Sequence, residues 1–281
     1  MVHGSLRAER AQVNGKLWLF ASKIDIIQVS PPPEYQESYI MKPSITLLTT
    51  ILGIALTHPA GADSLLQRSP ADAQRDLTSR PATVLNFFEV QPGWKVLDLF
   101  AGDGYYSELL AKRVGPTGKV YLHNNQAYMG LARNLRARLN NNRLPNVEVY
   151  IREVNDINLP SDSLDMVMLV LAYHDAYFTQ NGWTVNAEGL FRTVHRILKP
   201  GGTLAVIDHH ATTGSGSAHA QDLHRIDADF ARRDITGRGF EFVAASDVLN
   251  NPTDQLHRSV FDPEVRGQTS RFVFRFSKRA L

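Results

Sequence analysis

Asp98 lies near the end of an apolar run, Lys95-Val96-Leu97-Asp98-Leu99-Phe100, and glycines follow it at positions 102 and 104. A glycine-rich turn lets backbone approach a ligand closely, while a carboxylate at the end of the run can hold a ligand's ammonium directly or through water. Gly102-Asp103-Gly104-Tyr105-Tyr106-Ser107 nearly reproduces the dinucleotide fingerprint, with serine at its third small position, but alone that match is weak. Asp98 would repel an anionic pyrophosphate, which speaks against a nicotinamide dinucleotide and for a ligand with a cationic end.

A second group follows the apolar run 164–171: Tyr173, His174 and Asp175. His174 is placed to act as a base toward an acceptor that carries a proton, with Asp175 orienting it or the substrate. The alternative is a histidine that only completes a hydrogen-bond network. His209, His210, His219 and His224 fall within 16 residues, and Asp208 could join them. Residues 212–217 between them are rich in glycine and serine, and no compact two-histidine helical motif is present, so no metal site is expected. Those histidines are read as lining a substrate site or as hydrogen-bonding groups. Arg133, Arg136, Arg138 and Arg143 have few aromatics between them and read as a solvated face rather than a nucleic-acid surface. Trp183 could cover an aromatic or apolar substrate, with packing as the alternative.

The elements that must position these residues alternate. A helical stretch over 71–90 precedes the strand 95–100, and Tyr106, Leu109, Leu110 and Val114 then recur at helical spacing. Strands at 120–122, 147–151 and 164–171 follow, with a basic helix over 131–139 between the first two. The run 164–171 is the most apolar of these, which places it centrally. Leu190, Phe191, Val194, Ile197 and Leu198 mark a further helix, closed by Pro200-Gly201-Gly202 before a strand over 203–208. Alternation of this kind requires crossovers, hence an α/β, Rossmann-like, doubly wound and mostly parallel sheet of seven strands. Residues 240–243 and 272–276 add an antiparallel C-terminal strand, with Phe272, Phe274 and Phe276 on one face and Arg271 and Arg275 on the other.

The chain has 281 residues, 43% hydrophobic and 21% charged, with a formal net charge of +2, which fits a globular protein and gives no electrostatic reason for a polyanionic partner. Absence of cysteine excludes disulfides, thiolate metal sites and cysteine nucleophiles. Met41-Lys42-Pro43, the apolar stretch 45–56 and Ala60-Gly61-Ala62 form a secretory signal pattern, too short for a stable membrane span. The expected organisation is an N-terminal extension over 1–40 that is non-structured or outside the true reading frame, a signal peptide over 41–62, and one domain over 63–281. The protein would then be periplasmic or secreted; a buried helix at 45–56 in a cytoplasmic protein is the alternative.

Together with Leu198-Lys199-Pro200-Gly201-Gly202-Thr203-Leu204 and the Asn155 to Pro160 segment, the turn at Asp98 resembles that of the class I S-adenosylmethionine-dependent methyltransferases, from about residue 75 onward. More narrowly the chain is similar to a group of exported bacterial predicted methyltransferases, through Arg80-Pro81, Gly104-Tyr105-Tyr106, Tyr173-His174-Asp175, His224-Arg225-Ile226-Asp227 and Phe261-Asp262-Pro263. The resemblance implies S-adenosylmethionine as cofactor, with Asp98, Ala101, Gly102, Gly104 and Tyr105 at its methionine end and Asn155 or Asp156 at the adenine. Two positions depart from the pattern. Phe100 replaces the first glycine of the turn, and Asn124 stands where an acidic residue usually grips the ribose, so that it can offer a hydroxyl only an uncharged acceptor. The expected activity is methyl transfer to a small-molecule or envelope acceptor, the alternative an exported Rossmann-like ligand-binding protein without it. The expected partner is a small molecule, with no nucleic acid; nothing in the sequence sets an oligomeric state.

Overall fold

The computed structural model describes residues 68–130, 132–180 and 182–279, so the extension 1–40 and the signal-like segment 41–62 lie outside the described residues. The described residues all belong to one compact unit.

Seven strands form one sheet: β1 (Lys95–Leu99), β2 (Lys119–Asn124), β3 (Val147–Ile151), β4 (Leu164–Val170), β5 (Leu198–His209), β6 (Phe240–Ser246) and β7 (Arg271–Lys278). Their order is β3-β2-β1-β4-β5-β7-β6, with the β1, β2, β3, β4 and β5 pairings parallel and β7 antiparallel to both its neighbours. The most apolar run, β4, is the middle strand, and Leu164, Met166, Val167, Met168 and Leu169 are all buried there. Strand alternation divides the core in two. Leu97 and Leu99 face the layer that contains α6 (Ala187–Ile197), while Val96 faces α2 (Pro81–Phe87) and α3 (Tyr105–Val114). Phe272, Phe274 and Phe276 join the first core and Val273 the second.

Four expectations need correction. The stretch 71–90 is two helices, α1 (Pro70–Ser79) and α2, because Pro81 disfavours a helical residue before it and Arg80 turns to φ 41°. The basic helix is shorter, α5 (Leu135–Leu139), preceded by a separate turn α4 (Gln126–Met129) that Asn125 caps through its side chain. An unanticipated helix, α7 (Ala228–Gly237), joins β5 to β6, capped by Asp227 and buried through Ala231 and Ile235, four residues apart. Arg138 and Arg143 are also less solvated than expected, since they bind Glu108, and Arg138 binds Asp72 as well. No helix among the described residues is long and apolar enough to cross a membrane.

Candidate active site

The strand order reverses between β1 and β4, and their carboxyl ends open the crevice where ligands bind in sheets of this kind. Asp98 sits there, 2% exposed, and accepts a 2.6 Å hydrogen bond from Ser107 Oγ of α3. Burial pushes its carboxyl up to about 6, against the opposing pull of Ser107 and the Arg75 charge. The turn that follows is left-handed at Phe100 (φ 60°), Gly102 (φ 56°) and Gly104 (φ 78°). A Cβ on Gly104 would stand 2.7 Å from Leu122 Cδ1, whereas one on Gly102 would meet nothing within 4 Å. Ala101 is fixed by its N–H to the carbonyl of His123.

Asn124, at the end of β2, accepts from the Gly102 N–H at 2.8 Å and donates to the Gly102 carbonyl at 3.0 Å. Its amide therefore clasps the turn, leaving it less available to a ribose than the sequence suggested. Asp156 lines an open cleft of about 350 Å³ with Gln126, Arg152 and Glu153, while Asn155 turns toward Gly189 of α6. Tyr105 departs from expectation. As the first residue of α3 it packs toward α1, with its hydroxyl on Asp76 and its ring under the Arg75 guanidinium at 3.9 Å.

After β4 the chain makes a 3-10 turn over His174–Tyr177. Tyr173, expected beside His174 in the site, is fully buried instead, its ring packed near Phe191 and its hydroxyl donating to Asp234 of α7. His174 is 3% exposed, and its Nδ1–H donates to the Asp208 carboxylate at 2.9 Å, which also accepts the backbone N–H groups of His174 and His209. Asp208, at the end of β5, is thus the group that orients His174 and fixes Nε2 as its lone-pair nitrogen. Burial works to lower the His174 pKa, but the Asp208 charge and hydrogen bond, then Asp175, outweigh it and raise it.

Asp175 faces the same nitrogen from the other side. Its Oδ2 accepts from Tyr128 at 2.6 Å, while Oδ1 lies 3.3 Å from His174 Nε2. Trp183 Nε1 donates to the Asp175 carbonyl, and the Trp183, Tyr128 and Phe100 rings pack together with centroids 4.8 to 5.9 Å apart. His224 completes the group with Nδ1 at 3.2 Å from His174 Nε2. Of the four histidines grouped by sequence, it alone brings a ring nitrogen to His174 Nε2. His209 bonds Thr269 within the core, where burial lowers its pKa to about 3, His210 meets the Phe272 ring edge to face, and His219 lies 3.5 Å from Asp222. Sequence reasoning missed Tyr128 and the orienting role of Asp208; the signal for Asp208 was its place at the end of the strand beside β4.

Comparison with known proteins gives a consistent picture. A family described as a methyltransferase domain matches residues 91–244. The ubiquinone/menaquinone biosynthesis C-methyltransferase UbiE of Hydrogenovibrio crunogenus is 30% identical over 137 residues, 48% of this chain and 50% of that one. That of Xanthomonas campestris is 27% identical over 60% of this chain and 64% of its own. The chain spans about half the length of the first of these relatives. Among solved structures, a SAM-dependent methyltransferase from Aquifex aeolicus superposes with a TM-score of 0.53 at 23% identity, over 75% of this chain and 99% of the other. The [4+2]-cyclase SpnF superposes with a TM-score of 0.52 at 16% identity, over 75% and 82%. The fold is common to proteins named for different chemistries.

Proposed function

The chain belongs to the methyltransferase-domain family, class I and S-adenosylmethionine-dependent, and on that premise we propose that it transfers a methyl group to a small-molecule acceptor bound over His174. The residues present fit the cofactor at its amino-acid end. Asp98 is a carboxylate whose pKa burial raises and which a cationic group would stabilise, and the space over Gly102 is open. Asp98, Ala101, Gly102 and Gly104 would hold that end and Asp156 the adenine side. Bound there, S-adenosylmethionine supplies an electrophilic methyl on a sulfonium.

The single observation that carries the reading is the Asp208–His174 pair at the carboxyl end of β4. Asp208 keeps a proton on Nδ1, so Nε2 carries the lone pair, and once an acceptor takes the place of His224 Nδ1 on it, Nε2 can take the proton that an O–H, N–H or acidic C–H acceptor loses as it attacks. A raised pKa makes His174 a stronger base for that step. Phe178 and Phe261 flank this edge, His224 lying between them at 5.4 and 4.8 Å, while Trp183 is anchored on the Asp175 carbonyl, and these rings suit a flat, unsaturated acceptor. The names of the curated relatives, which methylate carbon in quinone biosynthesis, support an acceptor of that class. The signal-like segment 41–62 supports export, and mass spectrometry of the mature N-terminus tests it: a chain starting at residue 63 is expected, and an intact Met1 or Met41 refutes cleavage there.

Calorimetric titration of the full chain with S-adenosylmethionine and S-adenosylhomocysteine tests the cofactor, with binding expected and lost in Asp98→Ala. Labelled methyl transfer to phenolic and quinol acceptors tests the reaction, and His174→Ala should lower it about 10²–10⁴-fold. No heat at millimolar ligand refutes the reading.

A further inference from the structure

His174 Nε2, Asp175 Oδ1 and His224 Nδ1 converge on one point, and we propose that they bind a divalent first-row transition ion. The three atoms stand 3.2, 3.3 and 3.9 Å apart. A triangle with those sides has a circumradius of about 2.0 Å, which equals the Zn–N and Zn–O bond lengths of about 2.0–2.2 Å. An ion there reaches all three donors without moving them. Two imidazoles and one carboxylate are the donor set that such ions prefer over magnesium or calcium.

Each donor is also held from behind. Asp208 takes the Nδ1–H of His174, the carboxylate–histidine arrangement that orients metal-binding imidazoles and leaves Nε2 deprotonated. Tyr128 holds Oδ2 of Asp175 and so turns Oδ1 toward the histidines. His224 is kept at φ 54°, a left-handed conformation that costs a histidine energy, by its anchored neighbours. Next to it, Arg225 is fully buried on Asp254, and the Leu223 carbonyl accepts the Val260 N–H. Without an ion, the 3.2 Å contact is satisfied by one proton, donated from His224 Nδ1 to His174 Nε2. Ion binding shifts His224 to its other neutral tautomer, the proton leaving Nδ1 and Nε2 taking one up, and leaves the His174 Nδ1–H that Asp208 accepts in place.

The His174, Asp175 and His224 side chains are 4, 14 and 23% exposed, so the group is sheltered yet reachable from the crevice. Three protein donors leave at least one coordination position for an acceptor oxygen, whose proton the ion would make easier to remove. The ion would then do from the acceptor side what the His174 lone pair does without it. The site rests on the donor geometry alone, independently of methyl transfer, so either reading can fail without the other.

The full chain, stripped with chelator, should bind Zn²⁺ at one equivalent in competition with a chromophoric indicator. X-ray absorption of the zinc form should show two imidazole nitrogens, and Co²⁺ should give visible d–d bands of low-coordinate geometry. His224→Ala and Asp175→Ala should each weaken binding at least 10²-fold, and Asp208→Asn 10- to 100-fold. Circular dichroism and S-adenosylmethionine affinity of His224→Ala establish that it remains folded. No stoichiometric zinc in the wild-type chain overturns the site, as does wild-type affinity in a folded His224→Ala or a zinc spectrum without two imidazoles.

Discussion

Asp98 makes the protein less stable than it could be, and Asp98→Asn exposes that cost. Its folded pKa of about 6 stands about two units above the ordinary 3.8, and at about 1.4 kcal/mol per unit the ionised form costs about 3 kcal/mol. The sign follows from linkage. Below pH 3.8 the carboxyl is protonated in both folded and unfolded chains and costs nothing; as pH rises from 3.8 to 6 the unfolded chain ionises first and stability falls. Above pH 6 the full penalty is present. Asparagine keeps an oxygen for the Ser107 hydroxyl but adds a buried NH₂ that costs about 1–2 kcal/mol if unpartnered. The net gain at pH 8 is about 1–2 kcal/mol, or about 2–8 °C in Tm for a domain of this size. Thermal unfolding of both proteins without ligand, from pH 4 to pH 8, should show the variant more stable at pH 8 and the order reversed near pH 4. Saturating S-adenosylmethionine should then raise the wild-type Tm and leave the variant unmoved. A variant less stable at pH 8, or a difference that does not change with pH, refutes the account of Asp98 as an acid whose burial outweighs its partners.

Other perturbations follow from the same geometry. Burial would raise the Glu108 pKa, but hydrogen bonds and charge from Arg143 and Arg138 hold it down to about 2, so its contribution of about 3 kcal/mol is present above pH 4.5 and lost as pH falls toward 2. Urea unfolding of Glu108→Gln should show lower stability at pH 7 and a flatter profile between pH 4.5 and 2. Arg225→Met should cost about 3–5 kcal/mol by leaving the Asp254 carboxylate buried without its guanidinium, and the added change Asp254→Asn, which removes the charge but keeps an acceptor for the Ser270 N–H, should recover part of that loss in denaturant titrations. Gly104→Ala should cost about 2–4 kcal/mol from the positive φ and the collision with Leu122, with loss of cofactor binding by calorimetry.

What the sequence revealed follows the distance over which each feature is determined. Apolar runs announced the strands, and Asp98, Gly102 and Gly104 were legible because a turn is set by its own few residues. Helix α7 escaped notice because it buries only Ala231 and Ile235, too few for a visible stripe. Arg80-Pro81 did carry a break signal, which the apolar crowding of Val84, Leu85, Phe87 and Phe88 overrode. His174 was picked out from its place after β4, but the groups around it, Asp208, Tyr128 and His224, come from other elements. Asp208 is 34 residues away and His224 is 50, while Tyr128 reaches Asp175 across 47. Tyr173 and Tyr105 were misplaced for a related reason: adjacency in sequence does not say which face of an element a side chain takes.

Strand β7 bears on how the protein is made. It lies between β5 and β6 and is the one strand that touches both, pairing Thr203 with Ser277 and Phe240 with Lys278. As the chain leaves the ribosome, β5 therefore waits with a bare edge, and β6 has no neighbour until residues 271–278 emerge. A polypeptide that stops short of them carries two unpaired edges and lacks the three phenylalanines that β7 adds to the core. Without these eight residues the sheet exposes strand edges open to pairing with other chains, and a domain truncated there is expected to aggregate.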